Sequence, residues 1–160
     1  MTLYVLRHAR AGRRSAWKRP DELRPLTKVG RRQSAGVVEL LADRSLDGIV
    51  SSPYVRCVQS VEPLAADRDM KIEVSDALAE GVGIDDVLGL VHELADDDVV
   101  LCTHGDVLRL LLEHVRGEGV KVRRRNGAPP MEKGSVWELE IRKRAVIRAT
   151  YHRPPPPAAK

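Results

Sequence analysis

The chain has 160 residues, enough for one domain with its own buried core and no need of disulfides or metal ions. Its hydrophobic content of 42% and charged content of 31% are ordinary for a soluble globular protein, and no apolar run approaches the roughly 20 residues of a membrane span. The net charge of +4 is unevenly placed, because residues 7–32 carry ten Lys and Arg against two acids while the remainder is acidic.

The basic segment 7–32 sets up a local positive field, which attracts anionic ligands. An anionic substrate is one interpretation of this charge, nucleic acid is a second and a solvated loop is a third. Trp17 is the one aromatic residue in the segment, so it offers little surface for base stacking. We therefore expect an anionic substrate as the partner, rather than nucleic acid or a membrane.

The two cysteines, Cys57 and Cys102, lie within apolar patterns, where buried reduced thiols are expected. The amino-terminal residues enter a predicted strand at once and lack the layout of a secretory signal peptide. Both features predict that the protein resides in the cytoplasm.

A short apolar run predicts a buried strand over residues 2–7. Residues 8–26 are polar and form a long loop, and loops of this length in compact domains are usually functional or mobile. Thr27 is expected to cap a helix over residues 28–43. A second strand is predicted from Leu46 to Val50.

Pro53 suits the first turn of a helix over residues 54–68, where a missing N–H is harmless. The remaining predicted elements are a strand over 71–74, an amphipathic helix containing 84–94, a strand over 99–103, a helix over 105–116, and an antiparallel pair of strands over 136–141 and 145–151.

The alternation of strands and helices predicts an α/β fold with a mostly parallel central sheet covered by helices on both faces. This is a three-layer α/β/α sandwich, to which the last two strands add an antiparallel pair. The domain is expected to span residues 1–153. Residues 154–160 are a Pro-rich tail, of which Pro154 to Pro157 are expected to be extended and to lie outside the fold.

Charged and imidazole side chains follow two of the predicted strands. Arg7 and His8 follow the first strand, and His104 follows the strand over 99–103. Because open α/β sheets bind ligands at the carboxyl ends of their strands, these residues are expected to meet at one edge, which Arg56 can also reach. Guanidinium forks bind phosphate and neutral imidazole is a nucleophile near pH 7, so this pattern indicates phosphoryl transfer.

Five motifs occur in order along residues 6–105. They are Leu6-Arg7-His8-Ala9, Leu26-Thr27-Lys28-Val29-Gly30-Arg31-Arg32-Gln33-Ser34, Ser51-Ser52-Pro53-Tyr54-Val55-Arg56-Cys57-Val58-Gln59-Ser60, Leu78-Ala79-Glu80 and Thr103-His104-Gly105. Together they resemble the histidine phosphatase superfamily, whose fold is phosphoglycerate-mutase-like. The likeness is to its short members: SixA-type phosphohistidine phosphatases and the phosphatase-like domain attached to some MutT-type Nudix hydrolases. Lys133-Gly134-Ser135-Val136-Trp137 is similar to the end of the latter domain.

This resemblance implies a phosphatase in which His8 is the nucleophile and becomes transiently phosphorylated. Arg7, Arg56 and His104 would stabilise the phosphoryl oxygens, and Glu80 would donate the proton. Water would then release inorganic phosphate, with no metal or organic cofactor. The residues expected to bind the substrate are Arg7, Arg56, His104, Arg10, Gly105 and Ser52.

Some positions leave alternatives open. Ala9 stands where the family most often has glycine. Asp106 is a rival to Glu80 as the acid, although capping of the helix that begins near residue 105 also explains it. Ser52 can donate to phosphate, but ending the strand explains a serine there equally well.

The predicted function is therefore a phosphohydrolase acting through His8, with two substrate classes open. The absence of long insertions over the site favours phosphohistidine on a protein, and the basic residues 10–32 favour a small phosphorylated metabolite or nucleotide. A catalytically weak binding or regulatory module is an alternative from another class, against which the presence of His8, Arg56 and His104 argues. A nucleic-acid-binding protein is a further alternative that no recognition motif supports.

Overall fold

A computed structural model describes residues 1–156 of the chain. In this part of the chain the strands are β1 (Thr2–Arg7), β2 (Gly48–Ser51), β3 (Ile72–Val74), β4 (Val99–Thr103), β5 (Val136–Arg142) and β6 (Ala145–His152). The α-helices are α1 (Lys28–Leu40), α2 (Val55–Arg68), α3 (Ile84–Glu93) and α4 (Gly105–Gly117). Within residues 1–156, no helix has both the length and the apolar character that crossing a membrane requires.

The strands form one mixed sheet in the order β3-β2-β4-β1-β5-β6. The first four strands of the chain run parallel to one another, and β5 and β6 add an antiparallel pair beside β1. One face of the sheet packs against α1 and α2, and the other face packs against α3 and α4. The predicted three-layer α/β/α sandwich with a carboxyl-terminal antiparallel pair is therefore confirmed.

The central strands are apolar throughout because helices cover both faces of the sheet. All five residues of β4 are buried. In β1, Leu3 and Val5 pack on the side of α3 and α4, while Tyr4 and Leu6 pack on the side of α1 and α2. This burial holds the ends of β1 and β4 rigidly at one edge of the sheet.

The start of α1 matches the prediction. The Thr27 hydroxyl accepts a hydrogen bond from the Gly30 N–H at 3.1 Å, so Thr27 caps the helix. The helix ends at Leu40 rather than at residue 43, because the chain then forms a three-residue turn in which the Arg44 N–H donates to the Leu41 carbonyl.

The expectation for Pro53 is wrong. Helix α2 begins at Val55 with Tyr54 as its N-cap residue, so Pro53 lies before the helix rather than in its first turn. The Tyr54 N–H donates to the Ser52 hydroxyl at 3.3 Å, and this local turn delays the start of the helix.

The tail also departs from the prediction. Pro155 lies against Gly36 of α1, where a Cβ atom added to the glycine would be 2.8 Å from the Pro155 Cβ. The expectation that the tail lies outside the fold is therefore wrong for Pro155, because the missing side chain at Gly36 gives its ring a place to pack. Residues 157–160 lie outside the described part of the chain.

Two loops lie at the carboxyl ends of β1 and β4. The first, which we call loop 9–27, is tied to the start of α1 through the Thr27 N–H, which donates to the Arg10 carbonyl at 3.0 Å. The second precedes β5, and its Gly134 N–H lies 3.0 Å from the Arg7 carbonyl and 3.1 Å from the His8 carbonyl. Both loops therefore border the edge of the sheet at which β1 ends.

Gly30 allows α1 to touch loop 9–27, because a Cβ atom at this position would lie 2.0 Å from the Arg10 carbonyl oxygen. We expect Gly30→Ala to lower the free energy of unfolding by about 2–3 kcal/mol, since the loop must move away from the helix. Urea unfolding measures this change. Gly89→Ala in α3 is the matched control, because nothing lies within 4 Å of its added Cβ, and it should be neutral or stabilising by about 0.5–1 kcal/mol. Equal effects of the two substitutions would contradict the close approach.

Candidate active site

The ends of neighbouring strands bring the predicted site residues together. Arg7 at the end of β1 is paired with Thr103 at the end of β4, and the His8 N–H donates to the Thr103 carbonyl at 3.0 Å. His104 follows Thr103 directly, and the first turn of α2 supplies Arg56. The structure therefore places the two histidines and both arginines at one edge of the sheet.

A cavity of about 1190 Å³ opens at this edge. Its walls carry eight cationic side chains against the two carboxylates of Glu80 and Asp106. The cationic residues are Arg7, Arg10, Arg13, Arg14, Arg24, Arg56, Arg109 and Lys133. Half of the ten basic residues in segment 7–32 thus face the cavity, which makes it a strongly positive site for an anion.

The His8 imidazole is held in one tautomer. Its Nδ1 lies 2.8 Å from the Ala9 carbonyl oxygen, which can only accept, so Nδ1 carries the proton and Nε2 keeps its lone pair. The side chain is buried, and burial is the main cause that lowers its pKa from 6.5 to about 3, with the charges of Arg56 and Arg7 adding to it. Near pH 7 His8 is therefore a neutral imidazole, the form that acts as a nucleophile.

His104 faces His8, with ring centroids 5.5 Å apart. The Ser52 hydroxyl lies 2.8 Å from His104 Nε2 and accepts from the Tyr54 N–H, so its own proton is free to donate to Nε2. When Ser52 donates to Nε2 in this way, the proton of the His104 ring is on Nδ1. Ser52 is fully buried and stands behind the imidazole, so it orients His104 rather than forming part of the cavity wall.

Arg56 is held between two carboxylates, although only 1% of the residue is exposed. Its Nη1 donates to the Asp21 main-chain carbonyl at 2.9 Å, and its Nη2 donates to Asp21 Oδ2 at 3.0 Å and to Glu80 Oε2 at 2.9 Å. The guanidinium carbon lies 4.8 Å from the centroid of the Tyr54 ring. These contacts fix the plane of the guanidinium group at the cavity wall.

Arg7 is positioned by main-chain groups. Its Nη1 donates to the Met131 carbonyl at 2.6 Å, and its guanidinium lies so close to Gly105 that a Cβ atom there would be 2.9 Å away. A side chain at position 105 would therefore displace the Arg7 guanidinium from its present place. Burial lowers the pKa of Arg7, and the negative charge of Asp106 opposes this effect.

Three buried nitrogens on the cavity-lining residues have no hydrogen-bond partner within residues 1–156: Arg7 Nε, Arg56 Nε and His104 Nδ1. Buried polar groups are nearly always paired, because an unpaired donor costs about 1–3 kcal/mol. All three nitrogens are donors in the protonation states described above. Three unpartnered donors on residues that line the same cavity as His8 suit an anion with several acceptor oxygens, such as a phosphoryl group.

The two candidate acids have different contacts. Glu80 Oε1 accepts from Arg14 at 2.8 Å, and Glu80 Oε2 accepts from Arg56. Asp106 Oδ2 accepts from the Gly81 main-chain N–H at 2.8 Å. The interpretation of Asp106 as a helix cap is wrong, because His104 is the N-cap residue of α4 and Asp106 lies inside the first turn.

The sequence reasoning missed three residues of this site. Asp21 was only counted as a charge, yet it contacts Arg56 and also accepts from Arg24 Nε at 2.9 Å. Arg24 is itself buried. Lys133 enters from the loop before β5, where burial and the nearby charges of Arg7 and Arg24 lower its pKa. For Asp21 the sequence offers a weak signal, an acidic residue within a basic segment. For Lys133 the signal is the motif Lys133-Gly134-Ser135-Val136-Trp137, to which no role in the site was assigned.

Both cysteines are buried and not joined in a disulfide, as predicted. Cys57 Sγ lies 3.6 Å from His104 Nε2, so this thiol packs behind the imidazole. In the described residues, no three His, Cys, Asp or Glu side chains cluster as a metal site would require.

The fold is shared with solved structures of SixA proteins. The Agrobacterium tumefaciens protein named for phosphohistidine phosphatase SixA matches with a TM-score of 0.74 and 23% identity over 96% of this chain and 98% of its own. The protein histidine phosphatase SixA complexed with tungstate matches with a TM-score of 0.71 and 18% identity over 96% of this chain and 95% of its own. Bacillus stearothermophilus YhfR matches with a TM-score of 0.74 and 18% identity over 91% of this chain and 93% of its own. At these identities the likeness establishes the fold alone.

A curated protein of Mycolicibacterium smegmatis, named 8-oxo-(d)GTP phosphatase, is 34% identical over 159 residues. The match includes 96% of this chain and 48% of the relative. This chain therefore spans about half the length of that protein.

We expect His8 to stay neutral between about pH 8 and pH 5, because burial holds its pKa at about 3. Nitrogen-15 NMR should show Nδ1 protonated and Nε2 unprotonated throughout, with the exposed His92 as internal reference. The unfolded chain takes up a proton at His8 near pH 6.5 and the folded chain does not, so this residue lowers stability as the pH falls from 6.5 towards 3. His8→Asn should reduce that loss in urea unfolding. A His8 signal that titrates near pH 6.5 would contradict the assignment.

A protein-family model, that of the histidine phosphatase superfamily (branch 1), matches residues 3–84, just over half of the chain. The matched segment contains Arg7, His8, Arg56 and Glu80, and the remaining elements complete the sheet and contribute His104 to the same cavity. The sequence motifs, the arrangement of the strand ends and the shared fold agree with this match. The chain belongs to the histidine phosphatase superfamily.

Proposed function

We propose that this histidine-type phosphatase hydrolyses its substrate through a covalent phosphohistidine at His8. The observation that carries the proposal is the lone pair of His8 Nε2 beside three buried, unpartnered donors on Arg7, Arg56 and His104. Phosphoryl transfer is catalysed mainly by positioning and electrostatic stabilisation, and this site supplies both.

In the first step, His8 Nε2 attacks the phosphorus atom and the bond from phosphorus to the leaving oxygen or nitrogen breaks. Arg7 Nε, Arg56 Nε and His104 Nδ1 bind the equatorial oxygens, where negative charge accumulates in the transition state. The Ala9 carbonyl keeps its hydrogen bond to Nδ1–H and stabilises the positive charge that develops on the ring. The product is phosphohistidine together with the released part of the substrate.

Glu80 is the better candidate for the acid: when the arriving phosphoryl group takes its place on Arg56, Glu80 takes up a proton from solvent and passes it to the leaving group. Its carboxyl group lines the cavity and contacts the phosphate-binding Arg56, whereas the Asp106 carboxyl is bound to the main chain at Gly81. In the second step, Glu80 accepts a proton from water as the water attacks phosphohistidine. Inorganic phosphate leaves, and His8 returns to its neutral form.

Two further observations support an oxyanion at this site. The cationic side chains outnumber the carboxylates on the cavity wall by eight to two. One of the structural neighbours, a SixA protein, was solved with tungstate, which is also an oxyanion. Both agree with a substrate that presents a phosphoryl group to His8.

Rapid quenching of a reaction with phosphorus-32-labelled substrate should trap a phosphoryl group on the protein that is labile to acid and stable to base. His8→Ala should abolish the labelling, because the nucleophile is missing. His92→Ala is the matched control, since this exposed histidine lies on α3 away from the cavity, and it should label like the wild type. Retained labelling in His8→Ala would contradict the proposal.

The substrate that we favour is phosphohistidine on a protein. Loop 9–27 and the loop before β5 border the cavity, and α2 and α4 follow β2 and β4 after short connections. A cavity without a long insertion over it leaves room for a protein surface to approach. The SixA structures that share this fold are named for phosphohistidine or protein histidine phosphatases, which is compatible with this assignment.

A phosphorylated nucleotide or small metabolite is the second candidate. The cavity of about 1190 Å³ is much larger than a phosphoryl group, and Arg10, Arg13 and Lys133 extend its positive wall. The Mycolicibacterium relative is named for a nucleotide substrate, although this chain spans 48% of that protein.

Parallel assays with a phosphohistidine-bearing carrier protein and a panel of nucleotides distinguish the two candidates. We expect kcat/KM for the carrier protein to exceed kcat/KM for every nucleotide by more than about tenfold. A smaller ratio would not show a preference for one substrate class. Lys133→Ala should then reduce nucleotide hydrolysis more than hydrolysis of the carrier protein, because a second phosphate would be the group that contacts it. A preference of the reverse order would establish the nucleotide as the substrate.

Three expectations from the sequence stay predictions. They are residence in the cytoplasm, the kinship with a domain attached to Nudix hydrolases, and the domain boundary after residue 153. The relative that is about twice as long as this chain is compatible with the second of them.

A further inference from the structure

Asp21 makes two contacts with the same arginine. Its main-chain carbonyl accepts from Arg56 Nη1 at 2.9 Å, and its carboxylate Oδ2 accepts from Arg56 Nη2 at 3.0 Å. Asp21 begins the second of two 3₁₀ turns in loop 9–27, the turn Asp21–Leu23. This turn therefore holds loop 9–27 against Arg56, which lines the cavity.

A guanidinium group has two edges that offer a pair of parallel donors: the end edge of Nη1 and Nη2, and the side edge of Nε and Nη2. Asp21 occupies the end edge of Arg56. The side edge carries the unpartnered Nε, together with the Nη2 that also donates to Glu80 at 2.9 Å. A phosphoryl group can therefore bind two nitrogens of Arg56 only through the side edge. To do so it must replace the Glu80 carboxylate on Nη2.

We propose that Asp21 is a positioning residue, which holds the end edge of Arg56 so that the side edge faces the phosphoryl group bound beside His8. This inference rests on the proposed function of the site. It assigns different parts to the two carboxylates on Arg56: Asp21 stays in place during the reaction, and Glu80 leaves Arg56 when the phosphoryl group arrives.

The surroundings of Asp21 suit a fixed contact. Its other carboxylate oxygen, Oδ1, accepts from Arg24 Nε at 2.9 Å, and Arg24 is buried. Arg14 Nε lies 3.6 Å from the same oxygen. Although burial alone would raise the pKa of Asp21, the hydrogen bonds from Arg24 and Arg56 and their charges lower it, so Asp21 stays ionised near pH 7. The carboxylate is therefore clamped between Arg56 and Arg24, both of which are buried.

The test compares Asp21→Ala, Asp21→Asn and the control Glu22→Ala. Glu22 is the next residue of the same turn, is exposed, and makes no hydrogen bond or ion pair within residues 1–156. The measurements are kcat and KM with a phosphatase substrate, the inhibition constant of orthovanadate, and Tm. Orthovanadate is the probe because its vanadium readily becomes five-coordinate and then resembles the five-coordinate transition state at phosphorus.

We expect Asp21→Ala to weaken both kcat/KM and vanadate binding by about tenfold or more, because Arg56 loses a charge-assisted contact and can rotate. The loss should fall mainly on kcat, since the contact of Arg56 strengthens as charge develops in the transition state. Asp21→Asn keeps the main-chain carbonyl and one side-chain oxygen, so it should lose less, about threefold. Glu22→Ala should behave like the wild type.

Other results would overturn the inference. Unchanged kinetics with a lower Tm would show that Asp21 is only structural, and tighter vanadate binding would show that Asp21 competes with the substrate. If Asp21→Ala does not fold, wild-type kinetics of the isosteric Asp21→Asn would equally overturn it. Failure of the proposed function is a different outcome, because the wild-type protein itself would then neither bind vanadate nor show turnover that depends on His8.

Discussion

The site depends on a buried guanidinium group, that of Arg56, and a half-buried one, that of Arg7, at the carboxyl edge of a parallel sheet. Moving a charge out of water costs several kcal/mol unless nearby groups compensate it. Asp21 and Glu80 compensate Arg56, while the Met131 carbonyl and the charge of Asp106 compensate Arg7 in part. The compensation is incomplete, because the Nε atom of each arginine has no partner within the described residues. An anion with several oxygens completes it, so the same burial that costs free energy in the unliganded protein strengthens phosphate binding.

This burial also determines the chemistry of His8. The low dielectric around the ring lowers its pKa to about 3, and the Ala9 carbonyl selects the tautomer with a free Nε2. Neighbouring positive charges act in the same direction, since they oppose protonation of the imidazole. One physical cause, the exclusion of water from the end of β1, thus supplies both the neutral nucleophile and the donors around it.

Absence of side chains at two glycines makes the close packing possible. Gly105 leaves space for the Arg7 guanidinium, and Gly30 lets α1 approach the Arg10 carbonyl at the base of loop 9–27. The sheet and these contacts form a rigid frame, and the fold of this frame is shared with the SixA structures. The outer wall of the cavity comes instead from loop 9–27 and the loop before β5, and a fold with a shared frame and variable loops can serve different phosphorylated substrates.

The sequence by itself determined the order of the elements, the layers of the sandwich and the residues at the strand ends. Apolar runs, caps and the alternation of strands and helices are local signals, and parallel strands necessarily end at one edge of the sheet, so His8 and His104 could be placed together in advance. Only the tertiary structure decided the partners of those residues. Asp21 on Arg56, Lys133 in the cavity and Pro155 on Gly36 each join segments that are distant in the chain, and no local pattern states which loops will meet. The pKa of His8 was likewise decided by the tertiary structure, because segments distant in the chain bury the ring and place charges around it.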